Sequence, residues 1–133
     1  MAQFHLEIVT PDGAIFDGMA DSILVRTDSG DVEIMRGHAD YFASLGTGRA
    51  KLVVDGNARN ASASGGFISV RGGEVKLVST TFEFADDIDL VRAKAAKEKA
   101  ESAIKAATTD RELKLAKAKL ARAVSRIGVA ELK

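Results

Sequence analysis

The chain changes character at Ala85/Asp86, and that break limits the folds open to it more than any single residue does. All six Phe, the only Tyr, the only Pro and eleven of the twelve Gly precede it; twelve Ala and twelve Lys or Arg follow, with no aromatic residue. A turn-rich β half, residues 1–85, is therefore joined to an Ala-rich helical half, residues 86–133, and the predicted class is α+β. Charge divides at the same point. There are 7 basic against 11 acidic residues before the break and 12 against 8 after it, so a formal net charge of zero conceals an acidic half and a basic one.

At 133 residues the chain can bury roughly two thirds of its unfolded surface, enough for one core and a dependent element. Cysteine is absent, which excludes disulfides and thiolate metal sites, so stability must come from packing. No apolar run approaches the ~20 residues needed to span a bilayer, and the start of the chain alternates like a strand, unlike a secretion or transit signal. The expected location is the compartment of synthesis, a bacterial-type cytoplasm.

In the β half, Phe4, Leu6 and Ile8 alternate with His5, Glu7 and Val9, the period of a strand with one buried face. Thr10-Pro11-Asp12-Gly13 stops it, because Pro pre-sets a turn dihedral and Gly accepts positive φ. Further strands are predicted at 14–17, 22–27, 31–35, 42–45, 49–54, 57–61, 67–71 and 74–80. Asp55-Gly56 is the strongest hairpin signal. Many short, regularly spaced strands predict an antiparallel β-sandwich or flattened barrel.

In the helical half, Asp86, Asp87 and Asp89 supply negative charge and capping groups to a helix predicted over 88–107. Its apolar face is Ala93, Ala96, Ala100, Ala103, Ile104 and Ala107. Thr108-Thr109-Asp110 breaks it, and Thr109 with Glu112 makes a capping box for a second helix. That helix carries a stripe of Leu113, Ala116, Leu120, Ala123, Val124 and Ile127, with Gly128 as a weak stop. Helices joined by so short a turn run antiparallel, so the half is a helical hairpin. Alanine buries little surface, at ~0.8 kcal/mol per methyl-sized group, so the hairpin is expected to be helical yet weakly fastened.

Several chemistries are excluded. His38 with Asp40 has the composition of a carboxylate-oriented base, but no Cys and no Gly-x-Ser-x-Gly elbow supplies a nucleophile for a hydrolase. His5 and His38 do not make a metal motif. Gly65-Gly66 and Gly72-Gly73 lack the Lys-Ser/Thr of a phosphate loop. Nucleic-acid binding has no aromatic platform beside a basic stripe. One local arrangement stands out: Asp89 and Arg92 lie i, i+3 on the first helix, Arg122 and Arg126 i, i+4 on the second. Converging guanidiniums could take phosphate oxygens and a carboxylate a base or ribose; ordinary exposed charge is the alternative.

These residues together resemble the ε subunit of F-type ATP synthases. The resemblance runs through Val9-Thr10-Pro11-Asp12-Gly13, Gly37-His38-Ala39, Ser64-Gly65-Gly66-Phe67, Asp86-Asp87-Ile88-Asp89 and Val129-Ala130-Glu131-Leu132. It implies a noncatalytic rotor subunit: the sandwich against the γ subunit and the membrane c-subunit ring, the hairpin folded or extended toward the α/β hexamer, where it can restrain ATP hydrolysis. Such a subunit couples proton translocation to ATP synthesis. It implies a peripheral protein on the cytoplasmic side of the inner (plasma) membrane, one copy per rotor, no homo-oligomer and no required cofactor. Ile88-Asp89-Leu90-Val91-Arg92-Ala93 is similar to the family's ATP-binding signature, with Arg122 and Arg126 at further basic positions, so ATP is the implied regulatory ligand. A free-standing ATP-sensing module is the alternative reading of the same residues.

The resemblance also implies a rotor-contact loop at Arg36, Gly37, His38, Ala39 and Asp40. Here the chain departs from the family: Glu33, Met35, Arg36 and Asp40 stand where many members carry Gly, Leu, Pro and Pro. Two missing prolines leave the backbone less restricted, and the loop is more polar.

Overall fold

A computed structural model describes residues 2–132. Ten strands come first: β1 Phe4–Thr10, β2 Gly13–Ala20, β3 Ser22–Thr27, β4 Gly30–Ile34, β5 Tyr41–Ser44, β6 Thr47–Val54, β7 Asn57–Ser64, β8 Phe67–Arg71, β9 Glu74–Val78 and β10 Thr81–Phe84. A 3₁₀ turn, Ala85–Asp87, leads into helices α1 Leu90–Ala106 and α2 Asp110–Ala130. The strands form two five-stranded sheets, ordered β2-β1-β9-β8-β5 and β10-β7-β6-β3-β4. Their inner faces close on one core in which Leu6, Ile8, Ile23, Ile34, Ile68 and Leu77 are fully buried. The α+β sandwich with a helical hairpin is thus as the composition break predicts.

Local chemistry explains the turns. Asp55 has φ 51° and Gly56 φ 81°, so the β6–β7 hairpin turns with positive φ at both positions, the hand that matches strand twist. Gly66 has φ 92°, and a Cβ there would collide with the carbonyl oxygen of Val78, so the turn into β8 admits only glycine.

Three expectations need correction. The sandwich is not wholly antiparallel, because β1 pairs with β9 in parallel, Leu6 opposite Val75 through Val9 opposite Val78. Alternation fixes which face a residue takes and says nothing of the neighbouring strand's direction. The strand predicted at 74–80 ends early, at Val78, and the chain crosses to the other sheet, where β10, not among the predicted strands, pairs with β7. No Gly or Pro marks the crossing; the fully buried Ser79 makes it. Its N–H donates to Val9 O (2.9 Å), and its hydroxyl is placed to donate to Thr81 O (2.6 Å) and Ser64 O (3.3 Å). Gly128 does not stop α2, which continues to Ala130. A helical glycine costs only about 1 kcal/mol, and Val129 just beyond it is buried.

The hairpin lies folded on the sandwich. Helix α2 rests on β6, β7 and the 3₁₀ turn, while α1 packs mainly on α2. This docking explains why Ala61, Ser62, Ala63 and Ser64 of β7 are buried in succession: the core takes one face and α2 the other. The apolar contribution is a small cluster, Ala85, Ile88 and Val129, with Ala130 against it. Two polar contacts supplement it, Ser62 Oγ to Ser125 Oγ at 2.7 Å and Arg126 Nε to Glu83 Oε1 at 3.3 Å. Both partners of the ion pair are about one third exposed, so it contributes no more than about 1 kcal/mol. Weak fastening, inferred from alanine content, is what the contacts consist of.

Candidate functional site

The start of α1, the C-terminal part of α2, the 3₁₀ turn and the edge strand β10 together border a cleft of about 350 Å³ bounded by Glu83, Asp87, Asp89, Arg92, Ala93 and Arg126. A second cleft of about 210 Å³ lies between the helices, bounded by Lys99, Lys119, Arg122 and Arg126 over Ala100 and Ala103. Ala96 and Arg126 line both, so the two are neighbours. The first falls within the ~300–1,000 Å³ typical of small-molecule sites and the second below it. The first sets Glu83, Asp87 and Asp89 beside Arg92 and Arg126, whereas the charged lining of the second is wholly cationic.

The sequence-predicted residues do not all face this space. Asp89 is the N-cap of α1, its carboxylate accepting from the Arg92 N–H at 3.0 Å, which leaves a second oxygen for other partners. Arg92 is exposed, and among the described residues its guanidinium enters no ion pair. Arg122 lines the second cleft, and Arg126 stands at the junction held by Glu83. Ala93 is buried and serves as floor. Ile88 is elsewhere, packed into the cluster with Ala85 and Val129 that anchors the hairpin. Within the helices, Ala93, Ala100, Ala116 and Ala123 are buried as their spacing predicts, but Ala96 and Ala103 line the clefts and Val124 is 49% exposed. The capping box forms with a shift: Glu112 N–H donates to Thr109 Oγ1 at 3.1 Å, and its carboxylate takes the N–H of Thr108 at 3.1 Å.

The β4–β5 loop holds the other candidate group. Its turn is closed by the His38 N–H donating to Met35 O at 3.2 Å, with Gly37 at φ 87°. His38 Nδ1 donates to Ala39 O at 2.8 Å, and its ring meets Tyr41 edge-on at 5.6 Å. Asp40 does not orient His38; its Oδ1 accepts from the Gly72 N–H at 3.0 Å, tying the loop to the β8–β9 turn. The base-and-carboxylate pair of a hydrolase is therefore not assembled. Met35, 54% exposed, and Arg36 occupy the outer surface of the loop.

Some groups escaped the sequence analysis. Glu83 and Asp87 enter the first cleft only because β10 brings the chain beneath the hairpin. Lys119 had a signal: 119, 122 and 126 fall at i, i+3, i+7 on one helical face. On the outer face of the first sheet, His5 Nε2 meets Asp17 Oδ1 at 2.6 Å and Nδ1 meets Glu74 Oε2 at 2.5 Å. Hydrogen bonds to Glu74 and then Asp17 hold the imidazolium, pushing the pKa of His5 up to about 9. That cluster depends on the parallel β1–β9 register, which no local pattern carries. No group of His, Asp and Glu among the described residues is arranged to hold a metal ion.

Residues 3–85 match the family model described as ATP synthase, Delta/Epsilon chain, beta-sandwich domain, and residues 86–131 match ATP synthase, Delta/Epsilon chain, long alpha-helix domain. An ATP synthase epsilon chain of Ruminococcus albus is 40% identical over 134 residues, covering 100% of both chains. That of Bacillus velezensis is 38% identical over 130 residues, covering 98% of each. Among solved structures, a chain of the Euglena gracilis mitochondrial ATP synthase (OSCP/F1/c-ring, rotational state 1) superposes with TM-score 0.84 at 21% identity, over 100% of this chain and 83% of that one. A chain of the Tetrahymena thermophila mitochondrial ATP synthase central stalk and c-ring gives TM-score 0.67 at 16% identity, over 95% of each. At such identities the superpositions establish a common fold.

Proposed function

The chain belongs to the ATP synthase delta/epsilon family, as an epsilon chain of the bacterial kind, and from that membership we propose that it is the noncatalytic coupling subunit of the rotor. Relatedness over the full length, both halves in order, is the observation that carries this reading and favours it over a free-standing ATP sensor. The sandwich is the part held by the γ subunit and the c-subunit ring, with the 36–40 loop toward the ring. The hairpin, residues 86–133, is the regulatory part, docked as described or extended toward the α/β hexamer. Among the described residues no helix is long and apolar enough to cross a membrane. The proposed location is peripheral, on the cytoplasmic side of the plasma membrane.

The hairpin's ligand in this proposal is ATP, bound at the two neighbouring clefts by Asp89, Arg92, Arg122 and Arg126 above Ala93, with Ile88 holding the start of the helix in place. A ligand that contacts both α1 and α2 binds the folded hairpin better than an extended one, and so shifts the equilibrium toward docking. Two experiments test the two layers. Affinity-tagged chain expressed in its own host should co-purify with γ, α, β and ring subunits; recovery alone would overturn the rotor assignment. ATP should raise the melting temperature of the isolated chain saturably, and Arg92→Ala should abolish the rise. Absence of any rise at millimolar ATP would overturn the nucleotide site and leave the rotor assignment intact.

A further inference from the structure

A hollow of about 460 Å³ opens at the end of the first sheet, beside the β4–β5 loop. His5, Met19 and Glu74 border it from the strands, Met35, Arg36 and His38 from the loop. A neutral imidazole carries one N–H, so the contacts of His5 with Asp17 on β2 and Glu74 on β9 are both hydrogen bonds only while the ring is the cation. Loss of one proton leaves a lone pair facing a carboxylate, and one acid must part from the ring. Glu74 is the freer of the two: its side chain is 70% exposed against 59% for Asp17, and it opens β9, next to the β8–β9 turn.

The other charges around the ring decide where that carboxylate goes. Glu7 and Lys76 pair with each other at 3.8 Å, and Asp40 accepts from the Gly72 N–H. Arg71 lies opposite Glu74 across the β8–β9 hairpin whether or not His5 is charged, so pairing there moves no other segment. His38, across the hollow, has its Nδ1 committed to Ala39 O. Arg36 is exposed, borders the hollow from the loop and has no carboxylate partner among the described residues. We propose that Glu74 is the moving part of a two-position switch, joined to His5 while the imidazole is charged and to Arg36 once it is not, so that the β4–β5 loop closes on the hollow in alkali. Two exposed ion pairs are close in strength, so the loss of one proton is enough to shift the population. The two carboxylates keep the imidazole charged up to about pH 9, so the open arrangement is the one at neutral pH. This loop is the segment placed toward the ring in the reading above; an effect on that contact rests on that reading, whereas the closing itself does not.

The chain has methionines at 1, 19 and 35 only, and the last two border the hollow from opposite sides. The test is to follow their carbon-13-labelled methyl groups by NMR, together with the His5 ring protons, in the full chain from pH 7 to about pH 10. Met35 should shift with the midpoint of His5, and so should Met19, which faces His5 across β1 and β2. Arg36→Gln should abolish the Met35 shift and keep that of Met19, evidence that the variant is folded and His5 still titrates. Glu74→Gln should also abolish the Met35 shift and lower the His5 midpoint, while Arg71→Gln and His38→Gln should leave the Met35 shift in place. A native Met35 methyl that ignores the His5 midpoint, a shift that survives Arg36→Gln, or one that Arg71→Gln or His38→Gln removes equally would each overturn the switch. None of these outcomes bears on the rotor assignment.

Discussion

The hydroxyls of Ser62 and Ser125 meet at 2.7 Å across 63 residues of sequence, joining β7 to α2. Among the described residues this is the one hydrogen bond between a sandwich side chain and a hairpin side chain, and it marks where the hairpin is fastened. With no native cysteine, Ser62→Cys with Ser125→Cys should form a single disulfide under mild oxidation, read as a mobility shift on a non-reducing gel. A docked hairpin gives near-complete cross-linking; little product at long times would mean that the extended form dominates in solution.

The two glycines Gly66 and Gly128 should respond to alanine with opposite signs. At Gly66 the positive φ and the Val78 carbonyl leave no room for a methyl, and Gly66→Ala should cost about 3 kcal/mol or more. At Gly128 nothing lies within 4 Å of an added Cβ and the backbone is helical, so Gly128→Ala should stabilise by about 0.5–1 kcal/mol. Urea unfolding of both variants measures the difference.

The His5 cluster predicts a pH dependence with a definite sign. The folded-state pKa, about 9, exceeds the ordinary histidine value of 6.5, so the stabilisation is fully present below pH 6.5, declines above it and is gone once pH passes 9. Thermal unfolding between pH 6.5 and 9 should show a slope that His5→Gln removes. Solvent around the cluster keeps the effect modest.

Asp40 should behave as a support for its loop. Asp40→Ala leaves the Gly72 N–H without its acceptor, which should speed hydrogen exchange at Gly72 and through residues 36–40 while lowering stability by only about 0.5 kcal/mol. Asp40→Asn, which retains an acceptor oxygen, should stay close to the native chain in both measures.

The Asp55-Gly56 turn, the β1 alternation and the Thr109 cap were legible because each rests on neighbours in sequence. What escaped depends on distant partners. The parallel β1–β9 pairing brings Glu74 to His5, and the crossing at Ser79 is made by a hydroxyl whose acceptors come from two strands. Half of the candidate site was readable as helical spacing, Asp89 with Arg92 and Arg122 with Arg126. Glu83 was not, because it belongs to β10, a four-residue strand beyond the predicted 74–80 segment that no turn signal marks. Ile88 shows the reverse case: a residue inside a recognisable signature whose side chain packs against Ala85 and Val129.

Because the sandwich grips the second helix and not the first, detachment has a required order and a large reach. The grip lies far along the chain from the point of attachment at Ala85, so once α2 lets go α1 loses its main support. Laid end to end, helices of 17 and 21 residues measure roughly 57 Å, about four times the ~13 Å radius of gyration of a 100-residue domain. The hairpin is thus a spring-free arm: parting Ser62 from Ser125, Arg126 from Glu83 and Val129 from Ala85 and Ile88 frees a rod longer than the body that carries it.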